Sequence, residues 1–314
     1  GMRAVGVTTY GGPEALELVD LPEVHAGPGE VRLRVYAATV NPTDTYVRNG
    51  DRAKVQSADP GPYVPGMDAA GIVDEVGEGV TTGIAVGDRA MAIVVPKGTH
   101  GAYRESLVLP AGSVTRSPEG TSHAEASTLP MNGLTARLSL DLLGLQPGQT
   151  IAVTGAAGCY GGYVVQLAKA DGLTVIADAS EADTELVTSL GADIVVPRGA
   201  GFAAEVRKHF PNGVDGLADG SVQNDEVIDA IADGGAFTSV RGYQGEPQRD
   251  ITFSVTWVIS YATEHAKLDQ LRAQTEAGEV GLRVAQTYPA AQASGAHARL
   301  EAGGTRGRCV IEFD

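Results

Sequence analysis

The period of apolar and polar positions changes once along this chain, near residue 122. Before it, residues 30–40 set Val31, Leu33 and Val35 against Arg32, Arg34 and Tyr36, the period of two of a half-buried strand. Glycine and proline punctuate the same region at Gly11-Gly12-Pro13, Pro28-Gly29, Pro60-Gly61-Pro62 and Pro65-Gly66. Short strands between such turns predict a β-barrel or sandwich. No long helical periodicity precedes residue 122.

Beyond it, residues 122–143 carry apolar side chains at helical spacing, with Ser122 placed as an N-cap. Strands and helices then alternate. Strands are expected at 150–154, 174–177, 194–196, 214–218 and 236–240, with helices at 161–171, 181–190, 202–210 and 224–232 between them. Strand–helix–strand units of this length need crossovers, and crossovers make a parallel sheet. Ile251, Phe253, Val255 and Trp257 alternate again and predict one more strand at an edge, followed by a helix over 261–277. Strand character returns at 282–288 and 309–313, and this tail is expected to rejoin the first domain. The fold class is therefore α/β, with a β-rich domain at 2–121 and 282–314 and a doubly wound domain at 122–281.

Composition narrows the partners. A chain of 314 residues exceeds the size of one hydrophobic core, in agreement with two domains. The net charge of −16 disfavours nucleic acid and anionic membranes, whose binding rests on Lys and Arg, and serves solubility. No apolar run approaches the roughly 20 residues of a membrane span, and no secretory signal is expected at the start. Two cysteines, Cys159 and Cys309, cannot build a disulfide framework and fit a reducing cytoplasm.

The strongest chemical motif is Gly155-Ala156-Ala157-Gly158-Cys159-Tyr160-Gly161-Gly162, directly after the strand at 150–154 and opening a helix. A dinucleotide pyrophosphate needs backbone N–H groups, little side-chain bulk and a helix N-terminus behind them. Strand before, helix after and strand again at Thr174 supply the context that a glycine triad alone lacks. Asp178, about 20 residues further on, stands where an acid accepts from a ribose 2′-hydroxyl and repels a 2′-phosphate. A solvated strand-end acid is the alternative reading of Asp178.

These residues fall into a familiar order. Asn41-Pro42-Thr43-Asp44-Thr45-Tyr46-Val47-Arg48-Asn49-Gly50 is similar to the signature near the start of the quinone oxidoreductases, the zinc-free, zeta-crystallin-like branch of the medium-chain dehydrogenase/reductases. Pro65-Gly66-Met67-Asp68-Ala69-Ala70-Gly71, Gly87-Asp88-Arg89, the turn at 155–161, Leu190-Gly191-Ala192-Asp193 and Gly307-Arg308 continue the resemblance in order. It implies a GroES-like β-barrel and a Rossmann domain with the active site between them, a nicotinamide cofactor, a quinone or enone substrate, and a homodimer paired through the last Rossmann strands. An apolar edge over 251–257 would suit that pairing.

The resemblance also assigns roles. Zinc-dependent relatives place Cys and His-Glu in the blocks where this chain has Asn41 and Pro65-Gly66-Met67-Asp68, and the six histidines are scattered without ligand spacing, so no metal is expected. Asn41 and Tyr46 are the implied catalytic pair, Asn41 donating to a carbonyl oxygen and Tyr46 donating its hydroxyl or stacking on a ring. Turn chemistry for Asn41-Pro42 and a core aromatic for Tyr46 remain open. Asp44 reads as a structural acceptor. Thr135 and Arg308 are implied cofactor contacts, as are Asp219 after the fourth Rossmann strand and Gly242-Tyr243 after the fifth, at the carboxyl ends where such folds bind ligands. Cys159 is a packing residue of the turn. The branch usually takes NADP through Ser, Lys and Tyr. Here Ser180 is kept, Asp183 replaces the Lys and Pro197 stands near the Tyr, so NAD is slightly favoured although Arg198 opposes the two acids. The rival functions are a crystallin-like nucleotide-binding protein with little catalysis and a zinc alcohol dehydrogenase.

Overall fold

The structure is a computed structural model describing residues 1–243 and 245–314. It divides into two units, one of residues 1–131, 259–276 and 282–314 and the other of residues 132–258 and 277–281.

In the first unit the long strand Glu30–Thr39 pairs antiparallel with Asp68–Val76, Ser106–Pro110 and the C-terminal strand Arg308–Glu312. Val31, Leu33 and Val35 are fully buried while Arg32, Arg34 and Tyr36 are half-buried, as the period of two requires. Strand Val284–Pro289 lies parallel to Arg308–Glu312 at one edge, so the tail completes the β-rich unit. Leu107, Leu109, Val73 and Tyr103 fill the interior.

In this division residues 122–131 and 259–276, expected in the doubly wound domain, fall in the first unit. Helix His123–Ser127, capped by the Ser122 hydroxyl accepting from the Glu125 N–H (3.0 Å), packs on the first unit's strands. Helix His265–Glu276 does the same through the Thr115 hydroxyl donating to Asp269 Oδ1 at 2.7 Å. Helical period reveals a helix but not which sheet it covers.

The second unit holds six parallel strands in the order Ile194–Pro197, Thr174–Ala179, Thr150–Thr154, Val214–Asp219, Ile231–Ser239 and Thr252–Val255. The chain winds outward in one direction from Thr150–Thr154 and in the other from Val214–Asp219. The point between these two strands is where such sheets open a crevice at their carboxyl ends. The first strand ends at Gly155 and the fourth runs into Gly220, and a Cβ on Gly155 would lie 2.9 Å from the Gly220 carbonyl carbon. Two glycines thus let two chain segments meet at the switch point.

Local differences from the expected elements have local causes. The segment Asn224–Ala230 is a 3-10 helix, and Ile231–Ser239 begins five residues before the expected start at Ala236. The edge strand is shorter than its alternation, Thr252–Val255, and leaves Trp257 outside it and 56% exposed. Helices Pro42–Asn49 and Ala293–Glu301 stand where no helix was expected.

Gly161 fixes the approach of helix Cys159–Ala170 to the sheet, since a Cβ there would lie 2.1 Å from the Gly155 carbonyl oxygen. Gly161→Ala is predicted to lower unfolding stability by about 1–3 kcal/mol through this overpacking. Urea denaturation measures it, and an unchanged midpoint would show that the helix can back away freely.

Candidate functional site

The turn at 155–161 is built from backbone. Gly155 takes φ of +69°, a conformation open to glycine, and the Gly158 N–H closes back on the Gly155 carbonyl at 3.0 Å. Gly158 then caps helix Cys159–Ala170 with extended backbone, φ −76° and ψ 172°. Helix starts direct their first N–H groups and the positive end of the helix dipole outward. Ala156, Ala157 and Gly158 offer little bulk in front of them. Tyr160 turns away: its ring lies over Gly220, and its hydroxyl meets Ser139 Oγ at 2.7 Å. From there a buried chain runs through Thr256 to Thr238 at 2.8 and 2.7 Å. The one large side chain of the turn is anchored in the unit's interior.

Asp178 serves the turn itself. It is buried, and its Oδ1 accepts the Ala156 N–H at 3.0 Å. Burial pushes its carboxyl up, against the pull of the backbone N–H groups of Ala156 and Gly155 and of nearby Arg198. The carboxylate expected at a ribose therefore clamps the loop that would hold the pyrophosphate. Ser180 donates to Asp183 Oδ2 at 3.0 Å, so the hydroxyl at the end of the second strand faces an acid.

Asp219 is likewise committed to the chain. It is fully buried and accepts the Thr154 hydroxyl (2.6 Å) and the N–H groups of Ser221 (3.2 Å) and Asn224 (2.7 Å), shaping the loop after the fourth strand. It thereby supports the loop that follows the fourth strand. Gly242 has φ of +81°, whereas Tyr243 bonds through its hydroxyl to Asp225 and stands edge-on to Phe237 with centroids 5.6 Å apart. Thr135 is buried on helix Pro130–Leu143.

The first unit contains a cavity of about 150 Å³ beside helix Pro42–Asn49. Thr43, Asp44, Val47, Val64 and Met67 contribute to its wall. The Thr43 hydroxyl donates to Met67 Sδ at 3.1 Å. A thioether is a weak acceptor, which leaves this hydroxyl ready to exchange it for a better one. Tyr46, one turn further along the helix, is half-buried and does not line this cavity. Asn41 is fully buried, where it starts the helix and donates its amide to Asp68 Oδ1 at 3.1 Å. Sequence reasoning thus missed Thr43, whose signal was its place in the same block as Asn41 and Tyr46.

Behind the cavity lies a buried polar chain. Asp44 accepts from the N–H groups of Asn41 (2.9 Å) and Gly66 (3.1 Å) and from the Tyr103 hydroxyl (2.8 Å). Burial nonetheless pushes its carboxyl up to about 6. Tyr103 also meets His297 Nε2 at 2.9 Å, and Arg48 meets His297 Nδ1 at 2.8 Å before pairing with Glu301. Arginine can only donate, so Nδ1 accepts, Nε2 carries the proton to the Tyr103 oxygen, and Tyr103 donates to Asp44. Asp68 accepts the Met131 N–H at 3.1 Å, and burial raises its carboxyl well above the usual range with Asp44 adding to the effect. Arg308 opposes both rises. The structure therefore places Arg308, expected at the cofactor, beside this carboxylate pair.

Zinc does not suit these residues. Amide and thioether stand at Asn41 and Met67, and the Asp68 carboxyl is engaged by Asn41 and Met131. Among the described residues no three His, Cys, Asp or Glu side chains gather as a metal cage, and no helix is long and apolar enough to cross a membrane.

Comparison with known proteins agrees with this architecture. Residues 27–119 match the family described as alcohol dehydrogenase GroES-like domain, and residues 190–311 the family described as zinc-binding dehydrogenase. The chain is 29% identical to quinone oxidoreductase of Sus scrofa over 334 residues, covering 99% of this chain and 97% of that protein. It is 31% identical over 251 residues to 2-methylene-furan-3-one reductase of Solanum lycopersicum, covering 77% of this chain but only 62% of that protein's length. A solved NAD-dependent alcohol dehydrogenase superposes with a TM-score of 0.86 at 32% identity, over 100% of both chains. The chain belongs to the medium-chain dehydrogenase/reductase superfamily. Within it, the chain is quinone-oxidoreductase-like, with a GroES-like domain and a Rossmann-like parallel sheet.

The buried chain generates a pH dependence. Burial, with the Arg48 charge, holds His297 at about 3, below its ordinary 6.5. Its neutral form contributes stability that is fully present above pH 6.5 and is lost as pH falls toward 3. Relative to His297→Gln, the protein is predicted to lose about 1.4 kcal/mol per pH unit below 6.5. Urea unfolding of both at pH 6.5, 5.5 and 4.5 measures the difference, and parallel losses would remove His297 from the account.

Proposed function

We propose that the protein is a zinc-independent reductase that transfers hydride from NAD(P)H to a quinone or an α,β-unsaturated carbonyl. The observation that carries this reading is the side-chain-poor turn at 155–161, clamped by Asp178 and leading into a helix N-terminus at the switch point of a parallel sheet. The relatives named quinone oxidoreductase and 2-methylene-furan-3-one reductase support the acceptor class.

When bound, a reduced nicotinamide supplies the hydride. The chain's residues do the rest. Ala156, Ala157, Gly158, Cys159 and Gly161 present backbone to the pyrophosphate, with Gly155 setting the bend. Thr43 turns its hydroxyl from Met67 to the acceptor oxygen and stabilises charge developing there. A conjugated acceptor needs only this modest stabilisation, which suits a site without a Lewis acid. Asn41 holds Asp68 and the segment carrying Met67 in place, and water supplies the proton. In the Rossmann unit, Thr135, Gly242 and Tyr243 border the nicotinamide end, and Arg308 lies on the β-rich unit beside Asp44 and Asp68.

The adenosine end favours NADH. Asp178 and Asp183 put two acids near the end of the second strand, and the Ser180 hydroxyl is bonded to one of them, an unfavourable setting for a 2′-phosphate. A second copy of the chain would pair along Thr252–Val255, whose outer edge has no strand beside it among the described residues. Cys159 and Cys309 carry no disulfide, in keeping with a reducing compartment.

Steady oxidation of NADH in the presence of 1,4-benzoquinone or 2-cyclohexenone tests the reading. Thr43→Val is expected to lower kcat by about 10–100-fold with binding of NADH unchanged. Tight dinucleotide binding without turnover of any quinone or enone would instead favour a nucleotide-binding protein.

A further inference from the structure

The cavity beside Thr43 carries information about what enters it. Its volume, about 150 Å³, is comparable to that of a cavity that admits one benzene ring, although this one is partly open and has Asp44 in its wall. Val47, Val64 and Met67 line it, and Met67 stands beside the Thr43 hydroxyl. The rim has a different character. Val55, Val95 and Ile259 all border the opening, and they remain 66%, 38% and 44% exposed. Large apolar side chains this exposed are few among the described residues, and three of them meet at this one opening. An apolar rim outside a ring-sized chamber describes a ligand with a small head and an apolar substituent. The charged residues of the opening favour this over an acidic substituent, since Lys97 lies near Asp59 (3.9 Å) and only Arg52 would be left for an anion.

We propose that the acceptor is a monocyclic conjugated carbonyl, a benzoquinone or cyclohexenone, whose single ring fills the chamber floored by Thr43 and Met67 while an apolar substituent leaves over Val55, Val95 and Ile259. This rests on the reductase reading and specifies its substrate class. The acceptor gains a hydride at a conjugated carbon from the reduced dinucleotide and a proton at oxygen or carbon from water. It leaves as the two-electron-reduced hydroquinone or saturated ketone, with the oxidised dinucleotide as the other product. A flexible substituent can bend over the rim. A second fused ring stays in the plane of the first and asks for more room than about 150 Å³ offers.

Two measurements on the full chain test this separately from the reductase reading. In the first, kcat/KM with NADH is expected to fall at least about tenfold from 1,4-benzoquinone to 1,4-naphthoquinone, and Met67→Ala is expected to remove most of that difference. A hexyl chain on benzoquinone should raise kcat/KM, an advantage that Val55→Asp should abolish. Equal rates for one and two rings, a ratio unmoved by Met67→Ala, or a larger gain from a carboxylate than from a hexyl substituent would overturn the proposal. In the second, saturation-transfer NMR without dinucleotide should show cyclohexanone binding and 1-decalone not binding. If no acceptor turns over but this contrast holds, the reductase reading fails and the chamber's size selectivity stands. If decalone binds as well as cyclohexanone, or neither binds, the size selectivity fails even where quinones are reduced.

Discussion

The contact between Asp178 and the Ala156 N–H, 3.0 Å long and buried, is the constraint on which the Rossmann unit's chemistry depends. It joins the end of the second strand to the loop after the first and holds that loop in the bend that Gly155 permits. Gly161 completes the arrangement from the other side by letting the helix approach the Gly155 carbonyl more closely than any side chain would allow. Strand, bend and helix start then act as one preformed surface of backbone donors. Asp219 does the same for the neighbouring loop, with three donors on one buried carboxylate. Both acids stabilise shape first, and what the crevice can hold follows from that shape.

The β-rich unit uses buried acids in the same way. Asp44 ties the first turn of helix Pro42–Asn49 to Gly66 and Tyr103, and Asp68 ties Asn41 to Met131. Arg48 and Arg308 offset part of the charge, while His297 stays neutral between Arg48 and Tyr103. Desolvated carboxyl groups of this kind are costly unless fully bonded. Their cost is met by fixing the helix that carries Thr43 and the segment that carries Met67, two of the residues lining the cavity. The buried polar framework supports the wall from behind, and beside Thr43 and Met67 the wall carries aliphatic Val47 and Val64 together with Asp44. That suits an acceptor reactive through conjugation.

Much of this was legible in sequence because it depends on local period and local stereochemistry. The alternation of Val31, Leu33 and Val35, the cap at Ser122, the strand Thr150–Thr154 and the glycine turn all follow from neighbours a few residues apart. Helix Pro42–Asn49 was hidden because it spans only eight residues and begins with Asn41-Pro42, which equally reads as a turn. Thr43 was passed over because its significance lies in Met67, 24 residues away. Asp178 and Asp219 are legible as strand-end acids, whereas the direction of a carboxylate at a strand end is set by tertiary packing. Asn41 and Tyr46 show the same limit, since membership in one sequence block does not fix which side chains reach one cavity.

The central claim is that a turn clamped by Asp178 holds a dinucleotide. Titration of the protein into NADH and into NADPH, followed by the fluorescence of the reduced nicotinamide, tests it with the native chain and with Asp178→Ala. The account predicts saturable binding to the native chain, tighter for NADH, and weakening of both dinucleotides by about tenfold or more in Asp178→Ala. Absence of binding to the native chain, or binding untouched when Asp178 is removed, would contradict it.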